Sequence, residues 1–327
     1  LLHRDLKIDE DQFDDDVVKD TLRTIRMLPQ IQDQNGEEGC SRYIISNSED
    51  VFAVLFVFAF FRWCTQPGQG INFDIVPLFE TMDGMKNSGS VMRELFEVPE
   101  YRTHVKQRKD KQTMMLGFSD GTKDGGYLAA NWSIFKTKET LSEACAHFGV
   151  KAIFFDGRGG PPARGGGKTQ RFYAAQSPRT AKHEIQLTIQ GQTISSKYGT
   201  SEHFKFHFEQ LLTAGLSNNF NMRDNELSDE DRQLMDDLSR LSFEKYTALK
   251  NHAHFLPYLE NKSTLKYYGK ANIGSRPAKR GSKDKLELTD LRAISFVGSW
   301  SQLKQNVPGY YGIGHAIRTL VGEGKLE

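Results

Sequence analysis

Short apolar runs suited to β-strands alternate with single helical segments through the first half of this chain, and no other feature limits its fold as strongly. The runs end at intervals of roughly 34 to 40 residues, at Ser46, Glu80, Asp120 and Asp156. Strands that alternate with single helices indicate βαβ units and a parallel sheet. The pattern leaves two closures open, a doubly wound sheet and part of a (β/α)₈ barrel. Both place functional residues at the carboxyl ends of the strands.

The predicted elements divide the chain into three regions. Residues 1–40 form an amino-terminal helical segment, residues 41–170 carry the alternation and a glycine-rich loop, and residues 171–327 are mainly helical with a basic loop. After residue 170 we expect the alternation to stop, apart from a short β-like piece at 185–194. The predicted strands are 42–46, 73–80, 113–118 and 151–155, and the predicted helices are 17–27, 51–62, 88–107, 124–148, 202–214, 229–251 and 309–320.

Charge and cysteine content narrow the classes of function. Lys plus Arg is 43 and Asp plus Glu is 42, so no net field favours nucleic acid or a membrane surface. The longest apolar run, residues 51–61, is too short for a bilayer, which needs about 20 residues. The cysteines Cys40, Cys64 and Cys145 lack metal-ligand spacing and do not pair evenly. We therefore expect reduced thiols in a cytoplasmic protein.

Two acidic residues that follow predicted strands are candidate metal ligands. Glu80 ends the run 73–80, and Asp120 follows the run 113–118, with Lys123 shortly after it. Carboxylates on neighbouring strand ends could jointly hold Mg²⁺ or Mn²⁺ and leave coordination sites for substrate oxygens. When each acid is considered alone, capping of the helix that follows it is an equally good explanation, because helix amino termini favour negative charge.

A glycine-rich loop with two arginines, residues 157–167, is the most specific feature of the sequence. Arg158 and Arg164 lie among glycines that let the main chain approach a ligand, and guanidinium groups bind phosphate or carboxylate at two points. A plain flexible turn needs neither arginine. A later basic segment supplies Arg276 and Arg292, which we expect to fold back towards this loop. The combination predicts a metal-assisted reaction on a small phosphorylated acid.

These motifs resemble, in order, those of the phosphoenolpyruvate carboxylase family. The run 115–126, which contains Asp120 and Lys123, is similar to the family's lysine signature. The run 155–160 followed by 164–166 is similar to its glycine-rich arginine loop, and residues 77–81, 274–280 and 291–294 also match. The resemblance covers roughly residues 40 to 327.

The resemblance implies a (β/α)₈ barrel with additional α-helices, a homotetramer, and a lyase that depends on Mg²⁺ or Mn²⁺. Its anaplerotic reaction joins bicarbonate and phosphoenolpyruvate to give oxaloacetate and phosphate. By the same resemblance Glu80 and Asp120 are metal ligands, and Lys123 and Arg158 are catalytic. The residues implied to bind substrate are Arg158, Arg164, Arg276 and Arg292, and Arg164 is also implied in inhibition by aspartate.

Three departures from the family pattern bear on this assignment. Asp156 stands where the family usually has histidine, which changes the charge and removes a donor. Gly121 and Gly125 stand where serine and alanine are usual, so we expect a looser loop. The motifs of the family's amino-terminal half, including its catalytic histidine, are not found, so we expect an interior fragment that is inactive alone. The alternative is a non-catalytic relative that binds a divalent metal and a phosphorylated acid.

Overall fold

Five strands form one sheet in the part of the chain that the structure describes. They are β1 (Arg42–Ile45), β2 (Asp74–Phe79), β3 (Lys111–Gly117), β4 (Lys151–Gly157) and β5 (Ile185–Leu187). All pairs are parallel, which confirms the predicted sheet, and the order across the sheet is the order in the chain. The residues described in this computed structural model are 2, 6, 8–64, 71–159, 165–181, 184–189, 192–219, 226–268, 286–288, 291 and 307–326.

The helices cover the sheet and continue beyond it. Within the described residues none is long and apolar enough to cross a bilayer. They are α1 (Asp16–Asn35), α2 (Val51–Cys64), α3 (Met82–Glu97), α4 (Pro99–Gln107), α5 (Phe118–Gly125), α6 (Tyr127–His147), α7 (Thr169–Ala174), α8 (Gln192–Tyr198), α9 (Ser201–Asn219), α10 (Asp229–Lys250), α11 (Phe255–Lys262), α12 (Leu265–Tyr268), α13 (Val307–Tyr310) and α14 (Ile313–Gly322).

Two predicted helices are each divided in the structure. The prediction at 88–107 becomes α3 and α4, because Val98 is extended and Pro99 begins the second helix, where a missing N–H is tolerated. The prediction at 124–148 is interrupted at Gly126, whose φ of 83° favours glycine. Most of it is α6, and its first two residues end α5, a helix that the sequence did not predict. The hydrophobic spacing located both segments but not the breaks within them.

The sheet also continues past residue 170, at the short β-like piece that the sequence predicted over 185–194. Strand β5 pairs with β4 in parallel, with Ile185 opposite Phe154 and Leu187 opposite Asp156. It is only 3 residues long. The sequence predicted the β-like character of this piece, but so short a strand does not indicate which strand it pairs with.

Both faces of the central strands are buried. On one face, Leu116 and Phe154 join the main hydrophobic cluster together with residues of the flanking helices. On the other face, Val76, Leu78 and Met115 form a separate cluster. Strands of a parallel sheet that are covered on both sides have nearly continuous apolar sequences. This burial explains why the strands appear as unbroken apolar runs.

A buried histidine should make the stability of this fold depend on pH. His104 lies on α4, with its ring centroid 5.4 Å from that of Phe58 and 5.7 Å from that of Tyr101. Burial is the main reason, and the charge of Arg108 the second, that the pKa of His104 is lowered to about 4. Because the unfolded chain binds a proton at a higher pH than the folded chain does, protonation favours unfolding.

We predict that the free energy of unfolding falls as the pH is lowered from about 6.5 to about 4, and that His104 contributes roughly 3 kcal/mol to this fall. Denaturant unfolding of wild type and His104→Gln between pH 4 and 7 measures the contribution as a difference. The exposed His147, changed to Gln, is the control. A difference between wild type and His104→Gln that stays constant over this pH range would contradict the prediction.

Candidate active site

The carboxyl ends of three strands lie side by side. Phe79 of β2 is paired with Leu116 of β3, and Leu116 with Asp156 of β4, so the residues that follow meet at one edge of the sheet. A Cβ atom added to Gly117 would lie 2.5 Å from the Cβ of Glu80. Since Cβ atoms essentially never approach so closely, the contact between these strand ends depends on glycine at this position.

Glu80 is buried at this edge, with 3% of its surface exposed. The backbone N–H of Asn47, which follows β1, is 3.4 Å from its Oε1 atom and donates to it. The cap of the next helix is a different residue, because the hydroxyl of Thr81 accepts the N–H of Gly84 at 2.9 Å. Capping therefore does not account for the Glu80 carboxylate.

Asp120 and Lys123 form a buried ion pair on α5, with 3.1 Å between Oδ1 and Nζ. The sequence predicted Asp120 at a strand end, whereas the structure has it in the first turn of a helix that begins directly after β3. A negative charge is favoured there by the helix amino terminus. The next residue, Gly121, is close to β2, since a Cβ added to it would lie 3.8 Å from the carbonyl oxygen of Glu80. The first turn of α5 and the end of β2 are therefore neighbours.

The expectation of a looser loop at the lysine signature is wrong. The segment is the helix α5, and its glycines are positions of close packing. A Cβ added to Gly121 would lie 2.9 Å from the Cε of Met85, and one added to Gly125 would lie 2.5 Å from the Sδ of Met82. The absence of side chains at these two positions allows α5 to pack tightly against α3.

Helix α10 holds α5 from a distant part of the chain. The hydroxyl of Tyr246 donates to the carbonyl oxygen of Lys123 at 2.8 Å, and Lys250 Nζ donates to the carbonyl oxygen of Asp124. Asp124 Oδ2 in turn accepts the N–H of Met82 at the start of α3, at 2.9 Å. Burial raises the pKa of Tyr246, so it is a neutral donor. These contacts were not predicted, because nothing in the sequence near Tyr246 indicates a partner in α5.

Arg158 is buried rather than turned towards solvent, with 6% of its surface exposed. Its Nε donates to the carbonyl oxygen of Gly165 at 2.7 Å, and its Cζ lies 4.1 Å from the centroid of the Phe172 ring. Burial lowers the pKa of the guanidinium. The side chain is thus fixed by a hydrogen bond in its plane and by an aromatic ring against its face.

The other predicted arginines lie outside the described residues. They are Arg164, Arg276 and Arg292. Their convergence on Arg158 therefore stays a prediction. Three residues that surround the end of β4 were not predicted from the sequence: Lys138, Phe172 and Tyr173. No spacing pattern connects these residues with the loop, and only the packing of α6 and α7 against β4 brings them together.

The two carboxylates suit a hard divalent cation. Among the described residues, no group of three or more His, Cys, Asp or Glu side chains is placed to hold a metal. Mg²⁺, however, is usually bound by one or two carboxylates, and water and substrate oxygens complete its octahedron. Glu80 and Asp120 are buried oxygen donors on adjoining elements at one edge of the sheet, so they fit this requirement.

We predict that Gly117→Ala destabilises the protein by about 1–3 kcal/mol, because the new methyl group would overlap with Glu80. Denaturant unfolding measures the change. Gly314→Ala on α14 is the matched control, since no atom lies within 4 Å of its added Cβ, and we expect it to be neutral or stabilising. Equal stability of Gly117→Ala and wild type would show that the strand ends are not in close contact.

Comparison with known proteins identifies the family. A family model described as phosphoenolpyruvate carboxylase matches residues 2–327. The relatives below are all named phosphoenolpyruvate carboxylase. The protein of Corynebacterium efficiens is 39% identical over 255 residues, which are 77% of this chain and 27% of the relative. That of Nitrosomonas europaea is 35% identical over 321 residues, 95% of this chain and 34% of the relative. That of Thermosynechococcus vestitus is 32% identical over 318 residues, 95% of this chain and 31% of the relative.

The chain therefore spans about a third or less of the length of these relatives. The match covers nearly every residue of the chain and includes the edge of the sheet where Glu80, Asp120, Lys123 and Arg158 lie. The chain belongs to the phosphoenolpyruvate carboxylase family.

Proposed function

We propose that this chain supplies part of the active site of an enzyme that carboxylates phosphoenolpyruvate with bicarbonate, giving oxaloacetate and phosphate. The observation that carries the proposal is the set of buried charges at the carboxyl edge of a parallel sheet. It comprises Glu80, the Asp120–Lys123 pair and Arg158. Ionised groups are costly to bury unless they are paired or have a ligand to bind. An anionic substrate with a divalent cation would use all of them.

We infer that the sheet is part of a (β/α)₈ barrel. Its strands are parallel and follow one another in chain order, as the wall of a barrel requires. The described strands contain none of the reversal of order that marks a doubly wound sheet. In barrel enzymes the active site is at the carboxyl ends of the strands, where Glu80 and Arg158 lie.

The arginines would bind the substrate's phosphate and carboxylate. Arg158 is the described member of this group, and Arg164, Arg276 and Arg292 would complete it. A guanidinium can donate two parallel hydrogen bonds to such an anion, which fixes its orientation. Fixed orientation matters here because bicarbonate must approach the phosphorus atom in line with the bond that breaks.

Glu80 and Asp120 would hold Mg²⁺ or Mn²⁺. When bound, the ion would supply a positive charge next to a substrate oxygen on which negative charge develops. Lys123 lies 3.1 Å from Asp120 and would keep its ammonium group directed at the same edge. A preorganised cation of this kind stabilises developing charge without further rearrangement.

The reaction then proceeds in two stages. An oxygen of bicarbonate attacks phosphorus, and the bond from phosphorus to the enol oxygen breaks, giving carboxyphosphate and the enolate of pyruvate. Carboxyphosphate releases carbon dioxide and phosphate, and the enolate carbon attacks carbon dioxide to form oxaloacetate. Burial of Glu80, Lys123 and Arg158 would exclude water, which would otherwise protonate the enolate.

A non-catalytic relative is the second candidate, and Asp156 is the observation that favours it. This residue replaces the family's usual histidine with a side chain that lacks a ring donor. Its carboxylate is paired with Lys138 at 2.7 Å, which neutralises the added charge. Formation of oxaloacetate would exclude this candidate, whereas tight binding of phosphoenolpyruvate without product would support it.

The setting of the enzyme follows the family resemblance. We propose a cytoplasmic homotetramer whose ligands are phosphoenolpyruvate and bicarbonate rather than nucleic acid or membrane. The near balance of 43 basic and 42 acidic residues supports small-molecule ligands over an extended polyanion.

We predict that Lys123→Ala and Arg158→Ala each lower kcat/KM for oxaloacetate formation by at least about 100-fold, because each removes a preorganised cation. The protein is expressed from its full reading frame and assayed with Mg²⁺ and bicarbonate. Lys245→Ala, an exposed lysine on α10, is the control and should keep its activity. Full activity of both site variants in an active protein would defeat the assignment.

We further predict that Glu80→Gln and Asp120→Asn each weaken Mn²⁺ binding by at least about tenfold, because each replaces a charged oxygen donor by a neutral one. Electron paramagnetic resonance of free Mn²⁺ measures binding without any need for turnover. Glu143→Gln, an exposed acid on α6, is the control. Unchanged Mn²⁺ affinity in both site variants would remove these residues from the metal site.

A further inference from the structure

A second buried ionic cluster lies next to the candidate active site, between β4 and the helices α6 and α7. Lys138 Nζ is 2.7 Å from Asp156 Oδ1, and the hydroxyl of Tyr173 donates to Asp156 Oδ2 at 2.9 Å. Lys138 also donates to the Oε1 of Gln176 at 3.1 Å. Lys138 and Asp156 are 2% and 1% exposed, so both charges are almost fully removed from water. The reaction described above gives none of these residues a role.

The cluster is poorly explained by stability alone. Burial lowers the pKa of Lys138, and the Asp156 carboxylate only partly offsets this shift. Burial also raises the pKa of Tyr173, and Asp156 raises it further. The free-energy cost of removing two ions from water is about as large as the gain from their attraction. A buried ion pair is therefore weak evidence of stabilisation. Buried pairs are kept in some proteins because they fix one arrangement of the surrounding groups.

The cluster is joined directly to Arg158. The N–H of Arg158 donates to the carbonyl oxygen of Asp156 at 2.8 Å. Phe172, the neighbour of Tyr173 on α7, has its ring centroid 4.1 Å from Arg158 Cζ and 5.1 Å from Lys138 Nζ. Helix α7 has only 6 residues. Tyr173 and Ala174 belong to an apolar cluster with Ala214 of α9, and the hydroxyl of Tyr173 links the helix to Asp156 of β4. A shift of α7 would move the ring on which the guanidinium rests.

We propose that Lys138, Asp156 and Tyr173 form a positioning cluster that holds Arg158 in the orientation needed to bind the phosphorylated substrate. Lys138 fixes the Asp156 carboxylate, and Asp156 accepts the hydroxyl of Tyr173 and so holds α7. Through α7, Phe172 covers one face of the guanidinium. The proposal rests on the proposed function only for the identity of the ligand.

Orientation matters because Arg158 binds through a planar group. Its Nε is already used by the carbonyl oxygen of Gly165, so its plane is set before a ligand arrives. A displacement of about 1 Å in such a group weakens binding and reaction strongly, although the chemical groups themselves are unchanged. The cluster should therefore affect affinity for the substrate through Arg158 and not through other contacts.

The test is a double-mutant cycle. Tyr173→Phe removes one hydroxyl and keeps the ring, and it is made in the wild type and in the Arg158→Ala variant, each expressed from the full reading frame. Calorimetry with phosphoenolpyruvate gives Kd, and the assay of oxaloacetate gives kcat and KM separately. We expect Tyr173→Phe to raise Kd and KM by about tenfold in the wild type, and by less than about twofold when Arg158 is absent.

Tyr101→Phe is the matched control. Tyr101 is also fully buried, and its hydroxyl donates to Gln112 Oε1 at 3.0 Å near the start of β3, at the opposite end of the strand from the site. It should lower the unfolding temperature without changing Kd. Asp156→Asn is a stronger second variant, expected to raise Kd by more than Tyr173→Phe does.

Each outcome decides the proposal. An equal loss of affinity from Tyr173→Phe with and without Arg158 would mean a structural role only and would overturn it, as would unchanged Kd in a folded Tyr173→Phe variant. If phosphoenolpyruvate binds but no oxaloacetate forms, the carboxylase function fails, while the Kd cycle still supports or overturns the positioning role. No binding of phosphoenolpyruvate to wild type would overturn both.

Discussion

The contact between Gly117 and Glu80 is the constraint on which the rest of the site depends. Neighbouring parallel strands end at the same edge of a sheet. The residues that follow two such strands are normally kept apart by their side chains. Here the absence of a Cβ at Gly117 lets the end of β3 rest against Glu80. The chain then turns directly into α5, which brings Asp120 and Lys123 to the same edge. The end of β2 and the first turn of α5 thus lie next to each other because Gly117 has no side chain.

One group of buried charges lies at this edge, and a second lies between β4 and the helices α6 and α7. The two groups are organised differently. At the carboxyl edge of the sheet, Glu80, Lys123 and Arg158 are the buried charged groups that we propose to bind a phosphorylated acid and a cation. In the second group, Lys138 and Asp156 form an ion pair with 2.7 Å between Nζ and Oδ1. The first arrangement is suited to a ligand, and the second to rigidity. In the proposed function both arrangements would serve catalysis, since electrostatic catalysis requires charges that do not rearrange when the substrate reacts.

The hydrophobic pattern was sufficient to predict the parallel sheet and most helices. Strands that are buried on both faces have a distinctive apolar run. The pattern failed where a single residue or a neighbouring strand decides the structure. Pro99 and Gly126 break helices that the pattern treats as continuous. The β-like piece predicted at 185–194 joins the sheet at Ile185–Leu187, and its pairing with β4 was not predicted. Loop-like glycines at 121 and 125 proved to be helix packing positions, since Met82 and Met85 lie directly against them.

The sequence by itself determined which apolar runs form the main parallel strands and which family the chain belongs to, because motifs and apolar runs are local properties of the chain. Only the tertiary structure decided which groups surround them. Tyr246 holds the carbonyl oxygen of Lys123 from 123 positions away, and Lys138 and Tyr173 converge on Asp156 from two separate helices. Such partners are chosen by the packing of helices against the sheet, which acts between residues far apart in the chain and leaves no periodic signal in it.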